Sequence, residues 1–354
     1  YVTNSGHNEV AVINAATRKV IGDIPTGWYP TQVLAHDGKL SITSAKGLGA
    51  GPNNGPGHPN PTDPRDTAEN QYSGSMIKGL LSTVSEPDAA TLAKLTATVE
   101  KNNTANDPAR SSAVPNQIGT TSSKIKHVIY IVRENRTFDQ ELGSNGRGNA
   151  DPSLNLFGEE SAPNTRALAR QFTTFDNFYA DAEVSANGWN WVSQANSNPW
   201  SEEMWPSNYS GRGAPYPAEN NDPESRAKEH DSYFWEHLSK NNISFRNYGF
   251  YTTLDKKGKA HGVDKKILDP NTDHDFIGWS LDCPDSARSF APMAKNCGPK
   301  SRVDEWKSDF NKQLAKGSVP TVQLVRFGND HTQATKVGVP TPQAYVADND
   351  QAIG

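Results

Sequence analysis

The chain has 354 residues, with 35 Lys and Arg against 40 Asp and Glu, for a formal net charge of -5. At roughly 150 residues per domain, this length predicts about two domains. The longest apolar run is far shorter than the roughly 20 residues that cross a bilayer, so we expect no transmembrane segment. Nucleic acids are bound mainly by clustered Lys and Arg, and the absence of such a cluster excludes a nucleic-acid partner.

The first 45 or so residues predict short strands separated by turns. Four strands are expected, at 9–14, 19–24, 31–35 and 40–44. We expect them to form one four-stranded unit. The opening Tyr1-Val2-Thr3-Asn4, together with residues 8–13 and 24–27, resembles a single blade of the YVTN-type β-propeller. An ordinary small antiparallel sheet is the alternative.

A connector is expected after this unit, because Gly, Pro and Asn dominate its first part and polar residues its last part. Between them we expect a strand at 76–84 and a helix from 85 to about 100. The sequence therefore predicts a propeller blade at 1–46, a connector at 47–123 and a second domain at 124–354.

Apolar periodicity changes in this second domain. Residues 125–132 form a near-continuous apolar run, as expected of a strand buried on both faces of a parallel sheet. Further strands are expected at 243–248 and 319–327, and helices at 163–171, 224–241, 301–316 and from Thr341 onward. This alternation predicts an α/β fold with a parallel-rich sheet flanked by helices.

Two polar residues, Glu134 and Asn135, follow the first of these strands. Ligands collect at the carboxyl ends of strands in open α/β sheets. Carboxylate and carboxamide oxygens are hard ligands for a divalent cation. A metal site is one interpretation of this pair, and a helix-capping turn is the other.

The segment from Lys126 to Asp139, which contains Glu134-Asn135-Arg136-Thr137-Phe138-Asp139, resembles the opening motif of a bacterial phosphoesterase family. That family contains phospholipases C and acid phosphatases. The similarity continues through residues 150–154, 175–179, 329–332 and 341–350. It implies an alkaline-phosphatase-like fold and hydrolysis of phosphate esters, with a divalent metal held partly by Glu134 and Asn135. YVTN-type blades precede this domain in one branch of the family.

The resemblance also implies a hydroxyl nucleophile within residues 181–191, where Ser185 is the candidate. A turn or helix-capping serine is the alternative. Asn187 in the same segment is a candidate for substrate binding. Propeller-linked relatives are expected to carry His where this chain has Trp189, and this departure leaves the nucleophile open.

Asp330 and His331 follow the strand expected at 319–327, again at a carboxyl end. An imidazole there can contact a phosphoryl oxygen or protonate a leaving group. The resemblance implies a phosphate-contacting histidine at His331, and Asp330 is a second candidate for substrate binding. A structural histidine is the alternative.

The two cysteines, Cys283 and Cys297, flank a loop rich in Pro, Asp, Ser and Gly. A disulfide between them suits an exported protein and is worth about 3 kcal/mol in the chain-entropy model. Two free thiols are the alternative. With the disulfide, we expect the protein to be periplasmic or secreted.

Together these features predict a metal-dependent phosphoesterase that acts on a small-molecule or lipid phosphate ester. In the family, further metal ligands follow the helix begun at Thr341, so the domain is expected to be truncated at its C-terminus. The alternative is a non-catalytic extracellular binding protein that works through its propeller. A cluster of Trp between 189 and 205 offers a carbohydrate-binding interpretation, which no paired carboxylates support. The sequence leaves metal identity and oligomeric state open.

Overall fold

The computed structural model describes residues 1–49, 77–104, 124–219, 233–286 and 297–354. The chain divides into two compact units, Tyr1–Thr121 and Ser122–Gly354, close to the boundary expected after residue 123. In the described ranges it is a mixed α/β protein with eight α-helices, several small antiparallel sheets and one parallel sheet.

The N-terminal unit is built from six strands and one helix. They are β1 (Val2–Asn4), β2 (Glu9–Asn14), β3 (Lys19–Pro25), β4 (Pro30–His36), β5 (Lys39–Ser44), β6 (Leu80–Ser85) and α1 (Ala89–Thr104). The strands form two antiparallel sheets, with orders β1-β2-β3 and β4-β5-β6. The four strands expected to form one unit are therefore divided between two three-stranded sheets. A propeller that contains them stays a prediction.

The strand and the helix expected in the connector contribute to the core of this unit. Strand β6 pairs with β5 along its length. Helix α1 places Leu92 against a buried cluster of Val10, Ile24, Leu40 and Ile42. Close approach of α1 to β3 requires glycine at position 22, because a Cβ there would lie 2.6 Å from Cγ of Leu92.

The C-terminal unit contains the remaining elements. Its strands are β7 (Val128–Val132), β8 (Phe245–Tyr248), β9 (Thr252–Leu254), β10 (Ala260–Gly262) and β11 (Val322–Arg326). Its helices are α2 (Phe138–Leu142), α3 (Pro163–Gln171), α4 (Ser185–Gln194), α5 (Pro199–Tyr209), α6 (Phe234–Lys240), α7 (Arg302–Ala315) and α8 (Pro342–Ile353). Strands β9 and β10 form a hairpin, and the parallel sheet has the order β7-β11-β8.

Burial differs sharply between the strands of the parallel sheet. Every residue of the central strand β11 is buried. Strand β7 lies at the edge of the described sheet, and its Val128, Ile129 and Ile131 are 40–48% exposed. The expectation that the apolar run at 125–132 is buried on both faces is therefore wrong. Strand β11 has that environment, since all five of its residues are buried and it lies between β7 and β8 in the sheet.

Local signals position the helices that flank the sheet. The Ser301 hydroxyl caps α7 by accepting a hydrogen bond from the Asp304 N–H (3.2 Å), and Thr341 caps α8 in the same way through Ala344 (3.3 Å). Of the helix expected at 224–241, Phe234–Lys240 is helical and residues 220–232 lie outside the described part.

Cys283 and Cys297 form a disulfide. Both cysteines are buried and pack with Ile277. A disulfide is compatible with an oxidising, extracytoplasmic compartment. Among the helices that the structure describes, none is both long and apolar enough to span a membrane.

Candidate functional site

The carboxyl ends of β7 and β11 lie side by side, because these strands are parallel neighbours in the sheet. Glu134 follows β7 and Asp330 follows β11. The backbone N–H of Glu134 donates a hydrogen bond to Oδ1 of Asp330 at 3.0 Å, between two buried residues. The two segments that the sequence singled out thus meet at one edge of the sheet.

A cavity of about 240 Å³ opens at this edge. Among the residues that border it, oxygen atoms come from Glu134, Asn135, Thr137 and Asp330, and positive charge comes from Arg133 and Arg136. Oxygen donors suit a hard cation, and guanidinium groups suit phosphoryl oxygens. The cavity therefore combines oxygen atoms that suit a cation with guanidinium groups that suit an anion.

Arg326, the last residue of β11, contacts two carboxylates and two indole rings beside the site. Its Nε and Nη2 donate to Oε1 of Glu134 at 3.2 and 2.7 Å, and its Nη1 pairs with Glu219. The guanidinium carbon lies 4.1 Å from the ring centroid of Trp189 and 4.6 Å from that of Trp279. Burial opposes the charge of Arg326, but the two carboxylates outweigh it and raise its pKa.

Two other arginines, Arg133 and Arg136, border the cavity, which Arg326 does not. Arg133 donates from both terminal nitrogens to the Glu141 carboxylate, each at 2.9 Å, and from Nε to Oδ1 of Asn349 at 2.6 Å. Arg136 donates from Nη2 to the His331 carbonyl at 3.4 Å. Its buried Nε has no hydrogen-bond partner within the described ranges. A buried guanidinium N–H without an acceptor is costly, because its desolvation is not compensated by a hydrogen bond.

Asp330 and His331 lie in the turn that follows β11. Burial raises the pKa of Asp330 to about 8, although Arg133 and the Glu134 N–H oppose this shift. His331 is half-buried, its Nδ1 lies 2.8 Å from the Thr332 carbonyl, and its ring meets Trp279 edge-on. If Nδ1 donates to that carbonyl, as the geometry indicates, Nε2 is the nitrogen free to exchange a proton.

Ser185 is the first residue of α4. The Tyr130 hydroxyl donates to the Val192 carbonyl (3.1 Å) near the end of this helix, whereas Trp189 contacts Arg326 at the carboxyl end of β11. Helix α4 thus points its N-terminus toward the carboxyl edge of the sheet. Ser185 is one turn before Trp189 and shares its helix face, although it does not border the cavity.

The side chain of Asn187 makes hydrogen bonds that stabilise the start of α4. It is fully buried, and its amide nitrogen donates to Glu183 (3.0 Å) and Glu202 (3.2 Å). Its amide oxygen accepts the Val184 N–H at the start of α4 (3.2 Å). These bonds fix the first turn of the helix that carries Ser185. A substrate-binding role for Asn187 stays a prediction.

The Trp cluster is largely part of the core. Trp189 and Trp205 are 4% and 2% exposed. Trp189 also packs edge-on against Phe250 and Tyr251. Burial of these rings favours packing over an exposed sugar-binding surface.

Asp348 on α8 fixes the turn of the site to the disulfide loop. Its carboxylate accepts hydrogen bonds from the N–H groups of Asp285 (2.7 Å) and Ser286 (3.1 Å). It also accepts from the Ser286 hydroxyl (2.5 Å) and the Asn329 amide (2.7 Å). Asn329 directly precedes Asp330, so this buried network holds the Asp330 turn in place.

Stability should therefore depend on the ionisation of Asp348. Burial and the neighbouring Asp285 raise its pKa from 3.8 to about 6. Between these values the folded state keeps a proton that the unfolded chain releases, so this stabilisation is present at low pH and is lost as the pH rises to about 6. We expect the unfolding free energy of the native protein, relative to Asp348→Asn, to fall by up to about 3 kcal/mol from pH 4 to 6. Urea unfolding at several pH values measures this difference, and a constant difference would contradict the prediction.

Glu134 and Asn135 fit part of a metal-binding set. Glu134 binds Arg326 through Oε1, and both residues border the cavity together with Thr137. A hard cation takes six or more oxygen ligands, so further ligands have to come from substrate, water or other residues. Elsewhere in the described chain, two groups have spacing that permits metal binding: His261, Asp269 and His274, and Asp273, Asp275 and Glu305.

No protein-family model, curated protein or solved structure matches this chain. The resemblance to bacterial phosphoesterases therefore stays a prediction, and so do the roles of Ser185, His331, Glu134 and Asn135. The functional argument depends on the residues and geometry of the site itself.

Proposed function

We propose that the C-terminal unit is a metal-dependent phosphoesterase that hydrolyses a small-molecule or lipid phosphate ester. The observation that carries this proposal is the cavity at the carboxyl edge of the sheet. Carboxylate and amide oxygens border it together with Arg133 and Arg136, and the buried Nε of Arg136 has no acceptor within the described residues. The disulfide supports a periplasmic or secreted location.

In this proposal each residue has a separate role in phosphate ester hydrolysis. A divalent cation held by Glu134 and Asn135 would supply positive charge that polarises the phosphoryl oxygens. Arg136 binds a phosphoryl oxygen through its guanidinium N–H groups. The Ser185 hydroxyl gives its proton to solvent water and attacks phosphorus, so that an Oγ–P bond forms and the bond to the alcohol oxygen breaks. His331, when protonated at Nε2, gives a proton to the departing alcohol. A water molecule then attacks phosphorus, gives a proton back to Nε2 of His331, and breaks the Oγ–P bond to release phosphate.

Hydrolysis of an aryl phosphate and an aryl phosphodiester by the full-length protein tests the proposal. Excess chelator is expected to abolish hydrolysis, and an added divalent cation to restore it. Glu134→Gln and Asn135→Ala are expected to lower both bound metal and activity. Glu203→Gln changes an exposed carboxylate on α5 and is expected to change neither. Hydrolysis that persists in excess chelator would contradict the proposal.

One observation favours the alternative, a non-catalytic binding protein. Trp189 stands where propeller-linked relatives are expected to carry His, and its ring packs on Arg326. In that case Ser185→Ala, His331→Ala and Glu134→Gln would all leave hydrolysis at background. Binding of a ligand by the N-terminal unit would then identify the function.

A further inference from the structure

A second group of potential metal ligands lies on the β9–β10 hairpin and the turn packed against it. His261 belongs to β10, Asp269 begins a short 3-10 helix, and His274 follows that helix. Nδ1 of His261 lies 3.3 Å from Oδ1 of Asp269, and Nε2 of His274 lies 3.5 Å from the same oxygen. The three ligand atoms all lie within 4.8 Å of one another.

The two distances from the histidine nitrogens to Oδ1 of Asp269 match the ligand spacing of a tetrahedral metal site. Zinc binds His nitrogen and carboxylate oxygen at about 2.0–2.2 Å, which places two ligand atoms of a tetrahedron about 3.3–3.6 Å apart. Two imidazoles and one carboxylate leave a fourth position open, and imidazole nitrogen favours Zn²⁺ over Mg²⁺ or Ca²⁺. The side chains are 20–46% exposed, so a metal ion can reach them from solvent.

The surroundings hold the proposed ligands in place. Oδ1 of Asp269 accepts a hydrogen bond from the Gly262 N–H at 2.8 Å, and the Ala260 N–H donates to the His274 carbonyl at 2.9 Å. Nε2 of His261 lies 3.5 Å from Oδ2 of Asp255. A carboxylate on the far nitrogen of a histidine is the usual support for a metal-ligating imidazole, because it fixes the ring and its tautomer.

The neighbouring acidic group differs in how its carboxylates are paired. Asp273 pairs with Arg246 at 3.0 Å, Asp275 with Lys259, and Glu305 with Lys300 at 2.8 Å. Each of its three carboxylates is thus neutralised by a cationic side chain of the protein. In the His261 group, Asp269 also has a cationic neighbour, Lys265, but at 3.6 Å and on the carboxylate oxygen that is not the proposed ligand atom.

We propose that His261, Asp269 and His274 bind one Zn²⁺ ion, with Asp255 as a positioning residue for His261. This site uses none of the residues of the cavity described above. The zinc proposal is therefore independent of the proposed phosphoesterase activity. If either proposal fails, the other can still be tested.

Zinc binding by the full-length protein tests the proposal, with ZnCl₂ as the probe and metal analysis after dialysis as the readout. His261→Ala and His274→Ala are each expected to lose one equivalent of Zn²⁺. Asp255→Asn keeps an oxygen acceptor for the loop and is expected to weaken binding by about 10- to 100-fold. His237→Ala, at an exposed histidine of α6, and Glu134→Gln should retain this equivalent.

Cobalt substitution provides a second readout that does not depend on folding of the variants. Co²⁺ in a tetrahedral His/His/Asp site gives intense visible absorption, which Zn²⁺ should displace in the native protein. Equal zinc content in the native protein and in a His261→Ala/His274→Ala double variant would overturn the proposal. Failure of the native protein to retain Zn²⁺ would overturn the proposal as well. His261, Asp269 and His274 would then form a hydrogen-bonded triad without a metal.

Discussion

Replacing Arg326 with Met is expected to lower the free energy of unfolding by about 3–5 kcal/mol. Arg326 is 3% exposed and neutralises two carboxylates, Glu134 and Glu219. Met fills a similar volume between Trp189 and Trp279, but it leaves both carboxylates without their positive partner. An uncompensated charge in the interior is far more costly than the loss of packing. Chemical denaturation of the native protein and the Arg326→Met variant measures the difference.

A charge-removal series shows whether the cause is electrostatic. In the Arg326→Met background, Glu134→Gln removes one of the stranded charges and is expected to recover part of the lost stability. The same Glu134→Gln change in the native background is expected to be destabilising, because it weakens the bond to Arg326. Arg170→Met is a matched control, since Arg170 pairs with Glu159 at the surface, and its effect should be far smaller. Additive effects of Arg326→Met and Glu134→Gln would contradict the electrostatic explanation.

Much of the fold could be predicted from local sequence signals. Helices begin at Ser301 and Thr341 as predicted, with both residues as caps, and the helix at 163–171 has its expected bounds. The rule that ligands collect at the carboxyl ends of strands singled out Glu134 and Asp330, and these residues are in contact. These successes concern features that a few neighbouring residues determine.

The features that sequence reasoning missed depend on residues far apart in the chain. Arg326 meets Glu134, Glu219, Trp189 and Trp279, which are 192, 107, 137 and 47 positions away, and nothing in its local sequence indicates those partners. An arginine that ends a buried strand was the one available signal, because its charge has to be compensated. Pairing between strands is equally non-local. For this reason the sequence predicted a single N-terminal sheet, and it predicted that both faces of β7 are buried.

Ser185→Ala is expected to lower kcat for an aryl phosphate by a factor of roughly 10³ or more, because the proposed mechanism loses the atom that bonds to phosphorus. KM should change little, since the groups proposed to bind phosphate stay in place. The Asn187 side chain caps α4 independently of the Ser185 hydroxyl, so the variant is expected to fold. Steady-state kinetics and circular dichroism measure the two properties.

Trapping the phosphorylated protein distinguishes a nucleophile from a serine that only begins a helix. Rapid acid quenching during turnover should leave one phosphoryl group on the peptide that contains Ser185, and mass spectrometry locates it. Ser207→Ala is the matched control, because Ser207 is a half-buried serine on the neighbouring helix α5. This replacement is expected to change neither kcat nor the phosphorylation of the Ser185 peptide. Full activity in Ser185→Ala would mean that Ser185 only begins helix α4 and is not the nucleophile. The nucleophile would then have to be another hydroxyl at the carboxyl edge of the sheet, where Thr137 borders the cavity beside Glu134 and Asn135.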